Sequence, residues 1–220
     1  NERRHQLHEV IRLSGMNLVV NDIDMPLIIK VASIPKERMQ VYFIDNEEYF
    51  KRKAVYTDED DQLFSDNDER AIFFAKGVVE TVKKLNWAPD IIHVHGWMAS
   101  LLPLYLREFY KEEPLFTESK IVTSLYNKGF EGELNSDMSS KIAFDLNESG
   151  KISTIQTPNH TNILKSAIEN SDALIYGSED ISEELTTFIE EKEKLSLGYQ
   201  VENLKEAYLN FYADLLSDNQ

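Results

Sequence analysis

Two histidines, His93 and His95, alternate along the apolar run DIIHVH and are followed at once by Gly96, Trp97 and Met98. At i and i+2 on a strand, both imidazoles point to one face, where a metal ion or a polar substrate would meet them together. A metal site needs further ligands, and no nearby Asp, Glu or third His completes a set, so no metal is expected. The plainer reading packs one histidine in the strand and ends the strand with the other. His95, at the carboxyl end, is then the candidate for ligand contact, because open α/β sheets bind ligands outside the carboxyl ends of their strands.

Other polar clusters read as structure. Asp45-Asn46 and the stretch SDNDER sit at element boundaries, as a turn and a helix cap would. Gly129 and Gly132 within NKGFEG have neither the P-loop nor the dinucleotide spacing, and backbone permissiveness explains them. The acidic tract YTDEDDQLFSDNDE reads as a solvated loop. Spacing assigns no Ser-His-Asp arrangement. The absence of cysteine excludes disulfides, thiolate catalysis and Cys-ligated zinc.

The elements that must position these residues follow from pattern. Residues 17–34 carry two apolar runs around Asn21-Asp22-Ile23-Asp24 with Pro26 following, a hairpin signature, and residues 38–45 form a third strand candidate. A helix is predicted over 68–84, with Asp66 and Glu69 spaced as a capping box and Ile72, Phe73, Ala75, Val79 and Val82 as its apolar stripe. Residues 90–95, 120–126 and 172–178 read as buried strands. Helices are predicted over 98–110, 162–170 and 181–192, and a terminal helix is expected from Leu204, Ala207, Tyr208, Phe211 and Leu215. The fold class is therefore α/β, a Rossmann-like parallel sheet with helices on both faces and a β-hairpin insertion near the N-terminus. Three strand ends make the candidate site: His95-Gly96-Trp97, Tyr126-Asn127 and Gly177-Ser178. Between the last two lie about 35 residues of weak periodicity, expected as a functional or disordered loop.

With 220 residues, 42% of them hydrophobic, a single domain over 1–220 is expected, its residues 194–220 forming a helix and an acidic tail. Lys+Arg 23 against Asp+Glu 39 leaves a formal charge of −16, which opposes binding to nucleic acid or to an anionic membrane surface. No apolar run approaches the roughly 20 residues of a membrane span, and no signal peptide is recognisable, so a cytoplasmic protein is expected.

Taken in order, VYFIDNEEYFKRKAVY, DNDERAIFFAKGVVETVKKLNWAPDIIHVHGWMASLLPLYLR and SKIVTSLYNKGFEG resemble the N-terminal domain of bacterial glycogen synthases and plant starch synthases. The likeness covers residues 38 to 135 and extends more loosely over TNILKSAIENSDALIYGSEDISEEL. It implies the N-terminal half of a GT-B glycosyltransferase, in which two Rossmann-like halves transfer glucose from ADP-glucose to an α-1,4-glucan with retention. No cofactor is implied beyond ADP-glucose as the family's donor substrate. The family's His-x-His-Asp-Trp-His motif is met by His93, His95 and Trp97, but Gly96 replaces its aspartate and Met98 its last histidine. In the motif Thr-x-His-Asn-Leu-x-Tyr-Gln-Gly, Ser124 meets the threonine, Asn127 the asparagine, Phe130 the tyrosine, Glu131 the glutamine and Gly132 the glycine. Tyr126 stands where the family has its active-site histidine.

The resemblance thus implies substrate contacts at His95, Gly96, Trp97, Met98, Tyr126 and Asn127, with Trp97 and Tyr126 offering ring faces to a sugar and no residue assigned as catalytic. The family's first strand with its Lys-x-Gly-Gly loop would precede residue 1, and its second domain would follow residue 220. The expectation is an eroded or repurposed transferase edge with little or no activity as an isolated chain. The alternatives are a non-catalytic glucan-binding or regulatory module, or half of a split synthase completed by a separate chain.

Overall fold

A computed structural model of the chain describes residues 8–9, 15–146 and 150–217. An antiparallel sheet comes first: β1 (His8–Glu9), β2 (Met16–Val20), β3 (Ile23–Ile34) and β4 (Met39–Asp45), with β3 pairing all three others. The β2–β3 hairpin closes on Asn21 and Asp22, at φ 51° and 60°, the two left-handed residues of a type I′ turn whose twist suits a two-residue hairpin. Strand β3 runs straight through Pro26, which does not end it. Alternate residues Leu18, Val20, Met25, Leu27 and Ile29 are buried against α2 (Asn67–Leu85), and α2 approaches so closely at Gly77 that a Cβ there would lie 2.7 Å from Ile44. The single turn α1 (Glu47–Phe50) precedes α2 and is capped at Asn46, where a turn is expected, its Oδ1 accepting from the Glu48 and Tyr49 amides.

The second sheet is parallel. After β5 (Ile91–His95) and α3 (Leu102–Leu104) come β6 (Lys120–Leu125), α4 (Met138–Leu146), α5 (His160–Glu169), β7 (Ala173–Tyr176), α6 (Glu183–Glu191), β8 (Leu195–Leu197) and α7 (Leu204–Ser217). The strand order is β5-β6-β7-β8. Val94 and Ile121 on one face join the core beneath α2, and Leu125 and Leu174 pack under α5 and α6. On the other face Val122, Ala173 and Ile175 lie under Phe211 and Leu215 of α7. The expected α/β architecture with helices on both faces is thereby present. Among the described residues no helix is long and apolar enough to cross a membrane.

Three local expectations are corrected, and one strand is unforeseen. The capping box of α2 does not form: Asp66 makes no side-chain cap, because Arg52 binds both of its carboxylate oxygens. Glu69 instead serves Asn21, Tyr49 and Lys141. The helix expected over 98–110 is a 3-10 turn (Trp97–Ala99), the short α3 and a π-turn (Tyr105–Phe109) closed by Tyr110 N–H on the Tyr105 carbonyl at 2.9 Å. Pro103 has no N–H to give to the turn before it, so the helix starts afresh there. The long segment before α5 is no open loop: Met138, Ile142, Ile152 and Ile155 are fully buried or nearly so. Finally, β8 is three residues long, too short for a period to reveal it.

Candidate functional site

The three strand ends meet. His95 Nδ1 and Tyr126 Oη share a hydrogen bond of 2.9 Å across the β5–β6 pair, where His95 is in register with Ser124. Ser178 Oγ accepts from the Asn127 amide and donates to Asn127 Oδ1, each at 3.2 Å, tying the end of β6 to that of β7. Tyr126 can lie there because residue 177 has no side chain: a Cβ on Gly177 would fall 2.5 Å from the Tyr126 ring. His95, Tyr126 and Asn127, named from the sequence as contact residues, are therefore one connected group.

His93 does a different job. Its Nδ1 shares a hydrogen bond of 2.5 Å with Tyr212 Oη of α7 and its Nε2 one of 2.7 Å with Ser124 Oγ, a pair of bonds that a neutral ring satisfies in either tautomer. Burial first, and then the neighbouring His95, push its pKa down to about 4. It is a neutral hinge between sheet and helix, as the plainer sequence reading has it for one of the two.

The turn after β5 needs its glycine. Gly96 has φ 77° and ψ 155°, a region that essentially only glycine occupies without strain. Trp97, expected to offer a ring face, is buried instead, with Tyr56 and Phe130 each at a centroid distance of 4.8 Å. The partly exposed aromatic here is Tyr56, which the sequence reading left in a solvated loop. The two arms of that loop are tied together: Thr57 bridges Leu63, and the Phe64 amide bonds the Tyr56 carbonyl. Met98 lines a recess of about 320 Å³ together with Tyr56 and Arg70, on the hairpin side.

A second recess, of about 330 Å³, is lined by Tyr126, Asn127, His160, Thr161, Asp180 and Ser182. His160 opens α5, and its ring rests on the backbone at Gly129, where a Cβ would lie 2.2 Å away. Close approach, rather than turn geometry, is thus what Gly129 provides. Burial lowers the His160 pKa, which keeps the imidazole neutral near pH 7. Hydroxyl, amide and neutral imidazole groups with one carboxylate suit a hydroxyl-rich neutral ligand, since no cationic side chain lines this recess to meet a phosphate. Among the described residues no group of three His, Asp or Glu is placed to hold a metal ion. His160 escaped the sequence reading because it lies in an aperiodic stretch, with only the helix-start signal of Asn159 to mark it.

A family model described as the starch synthase catalytic domain matches residues 1–201. The chain is 36% identical to the glycogen synthase of Chlorobium luteolum over 179 residues, 79% of this chain and 35% of that protein. It is 35% identical to the glycogen synthase of Chlorobium phaeobacteroides over 211 residues, 94% of this chain and 41% of that protein. The catalytic domain of starch synthase IV from Arabidopsis thaliana, solved with ADP and acarbose, superposes with a TM-score of 0.66 at 18% identity, covering 88% of this chain and 40% of that one. The chain thus spans about a third of the length of the curated relatives it matches. A parallel sheet whose strand ends converge on one polar edge, and a family model that runs through all but the last 19 residues, lead to one assignment: this chain belongs to the starch synthase catalytic domain family.

Proposed function

We propose that this chain is the acceptor-side half of a glycogen or starch synthase-like glucosyltransferase, whose family reaction moves glucose from ADP-glucose to an α-1,4-glucan. The observation that carries the reading is the joined edge at Tyr126: its bond to His95, its seat on Gly177 and the polar recess it shares with Asn127 and His160. In this reading Tyr126, Asn127 and His160 hydrogen-bond glucan hydroxyls, and Tyr56 supplies the exposed ring against which a sugar packs. Gly96 and Met98 stand where the family resemblance has an aspartate and a histidine. Neither presents a polar group to a transition state whose charge needs one, so the 220 residues by themselves bind glucan and transfer little or no glucose.

Titration with maltoheptaose tests this, read as NMR shifts at Tyr56, Tyr126 and His160, alongside incorporation of labelled glucose from ADP-glucose into glycogen. Saturable millimolar binding weakened by Tyr126→Ala, with no incorporation above background, is the expected result. Robust turnover would overturn the low-activity reading, and the absence of any shift at these three residues would overturn the acceptor-side assignment.

A further inference from the structure

The recess on the hairpin side holds a group that the glucan edge does not explain. Arg70, on the first turns of α2, is 3% exposed and lines it. Its guanidinium lies near the rings of Phe50 and Phe64, at 5.4 and 5.6 Å from their centroids, and one terminal nitrogen donates to Asn67 Oδ1 at 2.5 Å. Its Nε makes no hydrogen bond within the protein, and no carboxylate among the described residues lies within ion-pair reach.

The nearby acids are already engaged. Asp66 gives both oxygens to Arg52, and Asp45 pairs with Lys30 at 2.5 Å. The recess lining, with Lys30, Asp45 and Arg70 as its charged residues, therefore carries one net positive charge in a chain whose formal charge is −16. Burial, followed by the Arg52 charge, lowers the Arg70 pKa, against the opposing attraction of the more distant Asp66 that Arg52 already binds. A buried guanidinium without a carboxylate is costly, and a Met or Gln would fill the same space between the rings without that cost. The remaining walls, among them Phe43, Val55, Tyr56 and Phe74, are apolar or aromatic.

We propose that this recess is a binding site for a small organic oxyanion, a phosphate or carboxylate on a ring or apolar body, with Arg70 as its counter-charge. The guanidinium meets the oxyanion with its free N–H groups while the body packs against Phe43, Phe74 and Tyr56. The site is separate from the Tyr126 recess and adjoins the edge only through Tyr56 and Met98, so it stands whether or not that edge binds glucan.

Titration of the whole chain with phenyl phosphate, benzoate and the neutral benzyl alcohol, followed at the Arg70 Nε–Hε NMR signal, tests it. The expected result is a saturable shift with at least one anion below about 10 mM and none with benzyl alcohol. Tighter binding of phenyl phosphate assigns a phosphate ligand, and tighter binding of benzoate a carboxylate. Arg70→Gln is expected to weaken binding by at least about tenfold, read at the Tyr56 ring. Val55→Trp, at the exposed rim, keeps the guanidinium and closes its mouth, with the same loss expected even if Arg70→Gln fails to fold. No saturable shift with either anion, an equal response to benzyl alcohol, or unchanged affinity in a folded Arg70→Gln or in Val55→Trp would overturn the proposal.

Discussion

Gly96 shows how a single backbone angle decides what a substitution means. Read from the sequence, restoring the family's aspartate together with Met98→His and Tyr126→His is expected to be tolerated, because all three positions end strands or open loops. The structure divides them. At φ 77° and ψ 155° an aspartate at 96 is strained although no atom lies within 4 Å of its Cβ, and Gly96→Asp is expected to cost about 1–3 kcal/mol, measured by urea denaturation. Met98→His, half-buried on a recess wall, is expected to cost less than Gly96→Asp. The glycine under Tyr126 gives a second test. In Gly177→Ala the new methyl overlaps the ring, whose far end must swing away, so the His95–Tyr126 bond of 2.9 Å is lost. A change in the His95 imidazole NMR signals, with fold and far-UV CD unchanged, is the expected result.

At the scale of elements, the segment before α5 is held by charge as much as by its apolar residues. Lys76 of α2 meets Asp145 of α4 at 2.7 Å with both side chains less than a tenth exposed, and Tyr105 Oη donates to the other Asp145 oxygen at 2.6 Å. One turn earlier in α4, Lys141 reaches Asp68 and Glu69 at 2.7 and 2.8 Å. Removing one member of a buried pair leaves the other uncompensated. Asp145→Asn is therefore expected to lower stability by about 3 kcal/mol, while the double change Lys76→Met with Asp145→Leu recovers a large part of it. Urea midpoints of Lys76→Met, of Asp145→Leu and of the double provide the comparison, and simple additivity would show that the pair is not coupled.

Across the whole molecule, α7 closes the sheet on strands formed much earlier in the chain, through Phe211 and Leu215 against Val122 and Ile175 and through Tyr212 on His93, 119 positions away. That contact makes stability depend on pH. The unfolded chain protonates His93 near the ordinary 6.5, the folded chain only near 4, so between these values the unfolded state binds the extra proton. The stabilisation is complete above about pH 6.5 and is lost as pH falls toward 4, by an amount on the order of 2–3 kcal/mol for a partly buried ring. His93→Gln is expected to flatten this limb of the stability profile, measured as urea midpoints across the same window. An unchanged slope would place the titration in another group.

The sequence by itself determined the alternation of buried strands and helices, the hairpin and the meeting of strand ends at His95, Tyr126 and Asn127, because these rest on periodicity and on a general rule about where open sheets bind. It carried the family as well, through motifs that survive the loss of Asp and His at positions 96 and 98. Only the tertiary structure decided which aromatic is exposed. Trp97 and Tyr56 are 41 residues apart, and nothing local says that Tyr56 and Phe130 cover the indole. The same holds for His160, admitted by the bare backbone at Gly129, and for Asp66, whose capping role Arg52 removes by taking its carboxylate. Helix 138–146 was hidden because it is nine residues long, buries only Met138 and Ile142, and is anchored by ion pairs to α2 across 69 and 73 residues of chain, a contact no local period records. Local pattern reports which side chains avoid water, whereas long-range packing decides which of them meet, and the chemistry of this edge depends on the meeting.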